Sequence, residues 1–197
     1  MSTTIPAPRV VADAFPRSLA TNAMLVTGGA VFIGLAAQLF VYLPGNPVPI
    51  TGQTFAVLLA AAALGLSRGV LATVLYAVAG ILGVPWFAGA SHGVVTASFG
   101  YILGFILAAA IVGALAQRGL TRTVGLTFLT MLVGSVAIYA VGLPWLKVAT
   151  GLGWGTAFGL GVTPFVLADL IKAGLAAGLF AAEWALIRRR SPGRTAR

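Results

Sequence analysis

The sequence contains no cysteine and few other residues of the kinds that catalyse reactions or bind metals. Its 197 residues include three acidic side chains, Asp13, Asp169 and Glu183, and a single histidine, His92. The lack of cysteine excludes disulfides, thiolate metal sites and cysteine nucleophiles. We therefore expect no metal site and no cofactor.

Charged residues are scarce as well, at 8% of the chain, whereas 59% of the residues are apolar. Soluble domains carry about 25% charged residues. A soluble fold with so few charges would lack the polar groups that cover a protein surface. The composition therefore predicts an integral membrane protein, and the length predicts one compact domain.

Six long apolar runs divide the chain. They cover residues 19–43, 53–67, 69–84, 99–116, 123–143 and 164–187. Each is near the ~20 residues that cross a bilayer, although the second and third are short. The first run is too long for the apolar part of a cleaved signal peptide. We predict an all-α bundle of six transmembrane helices with long, structured outer loops.

The basic residues fall on one side of this predicted bundle. With six crossings, all ten arginines share that side, namely Arg9, Arg17, Arg68, Arg118, Arg122, Arg188, Arg189, Arg190, Arg194 and Arg197. The positive-inside rule makes this side cytoplasmic, so both termini are predicted inside, and the net charge of +9 needs no nucleic acid to explain it. We expect a flexible cytoplasmic tail over 1–18, a single membrane domain over 19–187 and a basic cytoplasmic tail over 188–197.

The predicted outer loops are residues 43–53, 84–98 and 143–163, and they are rich in proline, glycine and aromatic residues. Loops that are long on one face only usually carry the function. The alternative is that these residues anchor helix ends at the membrane interface. The last loop is too apolar for a free loop and too glycine-rich for a stable span. We expect it to lie at the interface or to fold back over the helix ends.

The last helix carries two charges at membrane depth. Thr163 and Pro164 supply a cap and a first-turn proline, which begin a helix. Asp169 then lies about 8 Å and Lys172 about 12 Å inside that start, on a shared face. Each charge costs about 2.5–3.5 kcal/mol in a membrane. The two residues are either a structural pair that neutralises itself or the anchor for a polar ligand that enters from outside.

Four motifs occur in a specific order. They are PVPITGQTF at 47–55, PWFAG at 85–89, GYILGF at 100–105 and TPFVLADLIKA at 163–173. In this combination the chain resembles the BioY family, the biotin-specific substrate-capture (S) components of energy-coupling-factor (ECF) transporters. The similarity covers residues 25–187. It implies high-affinity capture and uptake of biotin across the bacterial cytoplasmic membrane, with six helices and a pocket near the outer face.

The resemblance also implies a set of ligand contacts. Asp169 and Lys172 match the D-x-x-K motif of the family, and a carboxylate with an ammonium satisfies the N–H groups and the carbonyl of the biotin ureido ring. The other candidates are Tyr101, Phe87 and Trp86 as apolar walls, Thr51 and Gln53 as neutral hydrogen-bonding groups, and His92. The alternative for Thr51 and Gln53 is capping of the second helix. The alternative for His92 is an exposed loop position.

Partners are implied because the sequence has no G-x-x-x-x-G-K-[ST] phosphate loop of its own. The resemblance implies that the chain works in the membrane lipid with a scaffold (T) component and ATPase subunits. Some family members act without these subunits, so the alternative is that the chain is active alone or as a homo-oligomer. Ala30 and Gly34 on the first helix are small enough to let a partner helix approach closely. Packing inside the bundle explains these two residues equally well.

An enzyme is not expected. Ser91 and His92 are neighbours in a loop, but a nucleophile and a base also need a third group that orients them. The serious alternative function is a self-sufficient or ion-coupled carrier of another small polar solute.

Overall fold

The computed structural model describes residues 10–94 and 97–190, and side chains as far as residue 186. Within these residues the chain forms seven α-helices and one two-stranded sheet. The helices are α1 (Leu19–Ala37), α2 (Gln53–Leu64), α3 (Leu66–Ile81), α4 (Phe99–Gln117), α5 (Val124–Thr150), α6 (Trp154–Gly161) and α7 (Thr163–Arg190). All of them except α6 correspond to the six apolar runs.

Four stretches of the described chain are long and apolar enough to cross a membrane. They are Leu19–Ala37, Phe99–Gln117, Val124–Thr150 and Trp154–Leu186, the last of which runs through α6 and α7. Helices α2 and α3 have 12 and 16 residues, or about 18 and 24 Å of length. Both fall short of the ~30 Å hydrocarbon core. The four long apolar stretches are those of a multi-pass membrane protein.

Helix α1 ends earlier than its apolar run predicts, at Ala37 rather than at residue 43. Strand β1 (Phe40–Val41) follows it and pairs antiparallel with β2 (Ile50–Thr51), so that Phe40 lies opposite Thr51. The residues from Phe40 to Tyr42 are β-branched or aromatic and suit a strand. Because the helix and the strand are both apolar, hydrophobicity alone does not show where α1 ends and β1 begins. The predicted end of the helix was wrong for this reason.

The third predicted outer loop, 143–163, is mostly helical. Helix α5 continues through Pro144 to Thr150, ends at Gly151 in the left-handed conformation (φ 70°), and is followed by α6. The end of α6 accepts two side-chain hydrogen bonds: Asn46 Nδ2 donates to Leu160 O and Tyr101 Oη to Gly161 O, both at 2.9 Å. These hydrogen bonds join α6 to the first predicted outer loop and to α4, so the segment folds back over the helix ends.

Helix α4 is the central element of the bundle. It is the most buried of the four long apolar stretches, and it packs against α2, α3 and α5. Its glycines allow close approach to α5: a Cβ on Gly104 would lie 2.7 Å from the carbonyl oxygen of Ile138. The side of α4 near Gly100 receives the ring of Trp145 in the same way. This contact fixes how α5 presents its side chains to the interior.

One end of the bundle is basic. Arg68 follows the α2–α3 turn, where it forms an ion pair with Asp13 (3.7 Å) and donates to Asn22 Oδ1 (2.8 Å). The guanidinium of Arg122 lies over the ring of Trp184, 5.3 Å from its centroid. Gly65, between α2 and α3, lies against Gln117 at the end of α4, which places Arg68 and Arg122 at the same end of the bundle.

The segment before α1 differs from the predicted flexible tail over 1–18. Residues Val11–Ala14 form a 3-10 turn, and Val10 and Ala12 are buried, both 2% exposed. This turn packs against α2, because its apolar side chains cover that helix while Asp13 binds Arg68. Residues 1–9 lie outside the described residues. At the other end α7 runs to residue 190, into the predicted basic tail, and 191–197 lie outside the described part.

Candidate ligand-binding site

A cavity lies at the end of the bundle opposite Arg68 and Arg122. It measures about 740 Å³ with its open mouth included. Its apolar wall includes Tyr42, Pro47, Pro49, Phe87, Tyr101, Phe105 and Phe165, and its polar wall includes Thr51, Gln53, Thr54, Ser91, Ser98, Tyr139 and Lys172. Ligand pockets in proteins are commonly apolar clefts with a few convergent polar groups, and this cavity has that kind of lining.

Lys172 is the charged residue of the cavity wall, and its ammonium group is held in place by three acceptors. Its Nζ donates to Thr51 O at 2.9 Å, to Thr54 Oγ1 at 2.7 Å and to Asp169 Oδ1 at 3.4 Å. A lysine ammonium has three hydrogens, so each has a partner within the protein. The contact to Asp169 is the longest of the three and is also the ion pair of this group.

Asp169 lies behind the polar wall rather than in it. Its side chain is 6% exposed, and it lines a small neighbouring cavity together with Ser135 and Met131. Its Oδ2 accepts a hydrogen bond from the Tyr139 hydroxyl, and its Oδ1 contacts Lys172. Tyr139 and Lys172 line the large cavity, so the carboxylate orients the two polar groups that a ligand meets.

The side chains of Thr51 and Gln53 are bound to each other at the start of α2. Thr51 Oγ1 accepts from the backbone N–H of Gln53, the first residue of α2, at 3.2 Å, and both side chains line the cavity. Thr51 Oγ1 donates to Gln53 Oε1 at 3.0 Å, and Gln53 Nε2 donates to the hydroxyl of Tyr76. Since Tyr76 is fully buried, it fixes the orientation of the Gln53 amide.

Two of the predicted contact residues lie away from the cavity. Trp86 turns towards the bundle: its ring packs on Tyr76 with centroids 5.3 Å apart, and its Nε1 donates to Tyr76 O at 3.0 Å. A buried indole N–H needs such an acceptor, and the apolar cavity wall does not provide it. His92 is exposed, which was the alternative for it. Neither residue is among the described residues that line the cavity.

Ala30 and Gly34, the predicted docking residues of α1, are buried within the chain itself. A Cβ on Gly34 would lie 2.9 Å from the Trp86 ring, so this glycine is the site on which Trp86 packs. Packing inside the bundle was the alternative for both residues.

Sequence reasoning missed Tyr139 and Thr54. Tyr139 stands in an apolar run, where a tyrosine is compatible with a plain core position and gives no signal. Thr54 follows directly after Gln53, and its place beside Thr51 at the start of α2 was a usable signal. Within the described residues, no three His, Asp or Glu side chains gather as metal ligands do.

Comparison with known proteins places this site within a family. The model of the BioY family matches residues 8–189. A probable biotin transporter BioY of Pyrococcus horikoshii is 40% identical over 153 residues, 75% of this chain and 88% of that protein. The biotin transporter BioY of Rhizobium etli is 31% identical over 171 residues, 81% of this chain and 91% of that protein.

A solved structure shares the fold. The crystal structure of the S-component for biotin from an ECF-type ABC transporter superposes with a TM-score of 0.74 at 20% sequence identity, over 83% of this chain and 90% of that one. The family match extends over nearly the whole described chain and includes every residue of the cavity wall. The chain belongs to the BioY family.

Proposed function

We propose that this BioY-family chain captures biotin at the outer face of a bacterial cytoplasmic membrane and serves in its uptake as the S component of an ECF-type transporter. Relatives that align with three quarters or more of the chain are named biotin transporters. The observation that carries the proposal is the cavity itself, in which Lys172 and Tyr139, both bound to Asp169, stand opposite an aromatic wall.

The two walls match the two chemical characters of biotin. The ureido carbonyl accepts from Lys172 Nζ, which gives up its 3.4 Å contact with Asp169. The ureido N–H groups find acceptors in the hydroxyl oxygens of Tyr139 and Thr54, which line the cavity, while Asp169 behind them orients the Tyr139 hydroxyl. The thioether ring and the valeryl chain pack on Phe87, Tyr101 and their aromatic neighbours, where burial of apolar area contributes roughly 25 cal/mol per Å².

The same proposal includes the topology: six crossings within 19–187 and both termini in the cytoplasm. The basic residues at one end of the bundle support it, because arginines concentrate on the cytoplasmic side of membrane proteins. The cavity lies at the other end, which opens it to the outside. Helices α2 and α3 then cross as a short hairpin, with Arg68 near their cytoplasmic turn.

Energy for uptake is proposed to come from separate subunits, a T component and ATPases, because no phosphate-binding loop occurs in the sequence. Activity of the chain alone or as a homo-oligomer is the competing arrangement. Uptake of labelled biotin into cells that express the chain with and without these subunits separates the two. An ion-coupled carrier of another solute is not favoured, since the relatives are named for biotin.

Calorimetry on the detergent-purified protein tests the capture step, with desthiobiotin and thiamine as comparators. We expect tight one-to-one binding of biotin and no saturable binding of thiamine. Desthiobiotin keeps the ureido ring and lacks the thioether, so it reports the polar wall separately from the apolar one. A folded sample that does not bind biotin contradicts the proposed function.

A further inference from the structure

The first residue after α1, Gln38, uses its whole side-chain amide to bind backbone groups. Its Nε2 has two hydrogens and lies within hydrogen-bonding distance of three carbonyl oxygens, Gly34 O (3.2 Å), Trp86 O (3.1 Å) and Phe87 O (3.2 Å), so one hydrogen is shared between two of them. Its Oε1 accepts from the N–H of Ala90 at 3.1 Å. One amide therefore joins the outer end of α1 to three backbone groups of residues 86–91, which we call the wall segment.

The wall segment forms part of the ligand cavity and has little regular structure of its own. Phe87, Ala88 and Ser91 line the cavity. Within the segment, one backbone hydrogen bond joins Phe87 N to Ser91 O at 3.0 Å. Ala90 has φ 55°, a left-handed conformation that is unfavourable for a residue with a Cβ. A segment held this way depends on external contacts: Gln38 binds its backbone, and Trp86 Nε1 donates to Tyr76 O of α3.

Helix α1 reaches the cavity through this segment. None of the described residues of α1 lines the cavity. Two contacts connect them: the ring of Trp86 packs on Gly34, and the Gln38 amide binds the segment. Phe87 is buried against Gly80 of α3. The position of Phe87 and Ser91 against a ligand is thus determined from α1 on one side and α3 on the other.

We propose that Gln38 is a positioning residue that holds the wall segment closed over the bound ligand and so sets how long the ligand stays. The inference rests on the proposed function, which identifies that ligand as biotin. When the amide is lost, the carbonyls of Trp86 and Phe87 and the N–H of Ala90 turn to water and the segment opens. Opening accelerates release more than entry, because affinity changes within one binding site fall mainly on the dissociation rate.

Two substitutions of Gln38 test this. Gln38→Met keeps the length of the side chain and removes all four hydrogen bonds. Gln38→Glu keeps the acceptor for Ala90 N but places a carboxylate against three carbonyl oxygens. We expect Gln38→Met to raise the biotin dissociation rate about tenfold, with association within about threefold of wild type. Gln38→Glu is expected to raise dissociation at least as much.

The control is Leu39→Ala, the neighbouring residue, whose side chain is 71% exposed and should leave both rates unchanged. A folded Gln38→Met protein that releases biotin at the wild-type rate overturns the inference. Gel filtration and thermal unfolding establish that the variants are folded, which is expected because Gln38 lies at the surface.

A second measurement reports the segment without any ligand. The chain has no cysteine, so Ser91→Cys introduces a unique thiol on the wall segment. We expect maleimide to label it several-fold faster in the Gln38→Met background than with Gln38 present, whereas Leu39→Ala leaves the rate unchanged. If the wild type does not bind biotin, the proposed function fails and the labelling rates still decide the role of Gln38. Equal labelling in the two backgrounds overturns it.

Discussion

At the scale of single residues, the Asp169 carboxylate connects the polar groups of the cavity. It binds the Tyr139 hydroxyl with one oxygen and the Lys172 ammonium with the other, while its own side chain is buried. A hydrogen bond to a charged group contributes about 1.5–3 kcal/mol. We predict that Tyr139→Phe weakens biotin binding by about 10- to 100-fold in calorimetry, because the ligand loses the hydroxyl that Asp169 orients in the cavity wall.

The matched control is Tyr101→Phe. This residue also lines the cavity and also donates one hydrogen bond, but to the backbone oxygen of Gly161 at 2.9 Å. Removing its hydroxyl loosens the end of α6 and leaves the Asp169 contacts in place. We expect a smaller loss of affinity, below about fivefold. Equal losses in the two variants would mean that the Tyr139 hydroxyl has no special relation to the carboxylate.

The two interpretations of Asp169 and Lys172 are separated by removing both charges. Lys172→Met leaves a buried carboxylate without its cation, and we predict that it lowers the free energy of unfolding by about 3–5 kcal/mol. Asp169→Asn with Lys172→Met removes the unpaired charge and should recover part of that loss, measured by denaturant unfolding in detergent. Biotin binding should be abolished both in Lys172→Met and in the double variant. A double variant that binds biotin as wild type does would make the two residues a structural pair only.

Sequence reasoning reached some residues of the site and not others for a physical reason. Lys172, Thr51 and Gln53 are polar groups near predicted outer helix ends. A polar side chain in such an apolar setting is costly unless it has a hydrogen-bonding partner or a ligand, so these residues were noticed. Tyr139 is amphipathic and fits an apolar run without conflict. Trp86 was expected in the cavity wall, yet its N–H required a carbonyl, and that of Tyr76 lies inside the bundle. Only tertiary contacts determine such choices.

At the scale of elements, the contact between α4 and α5 supports the site, because Tyr139 follows directly after Ile138. A Cβ on Gly104 would lie 2.7 Å from the Ile138 carbonyl oxygen, and backbone cannot move aside as a flexible side chain can. We predict that Gly104→Ala lowers the free energy of unfolding by about 1–3 kcal/mol through overpacking. Biotin affinity should fall with it as α5 shifts Tyr139. Thermal unfolding and calorimetry measure the two effects.

Gly174→Ala is the control for this substitution. Gly174 is also helical, in α7, and apart from its chain neighbours and the adjoining backbone of α7 no described atom lies within 4 Å of the position that its Cβ would occupy. Alanine there should be neutral or stabilising by up to about 1 kcal/mol, since it has the higher helix propensity. A loss of stability as large as that of Gly104→Ala would contradict the packing explanation.

Comparison of the helices with the apolar runs shows that the runs predict where helices occur better than where they end. The six runs correspond to α1–α5 and α7, because a bilayer-length apolar stretch has few other structures available to it. Their ends were less predictable: α1 stops at Ala37 inside its run, and α5 continues beyond its run to Thr150. Helix α6 has three glycines in eight residues, and its contacts with Asn46 and Tyr101 offset the low helix propensity of glycine.

At the scale of the whole molecule, the distribution of charge predicts the orientation of the bundle. The proposed six crossings require that the short helices α2 and α3 each cross the membrane. With 12 and 16 residues, these helices cross a core of ~30 Å only if the bilayer thins locally or the flanking segments complete the span. The packing of α2 and α3 against α4 favours a crossing, because it places them beside a helix of full membrane length.

Single cysteines in this naturally cysteine-free chain test the crossing directly. Pro44 and Leu82 are exposed at the cavity end, and Ser67 is exposed at the opposite, basic end. In intact cells, a membrane-impermeant maleimide should label Pro44→Cys and Leu82→Cys and should leave Ser67→Cys unlabelled until the membrane is permeabilised. Because the chain passes from residue 44 through 67 to 82, this pattern requires that α2 and α3 each cross. Labelling of Ser67→Cys from outside would instead place the α2–α3 turn on the outer side and reduce the number of crossings to four.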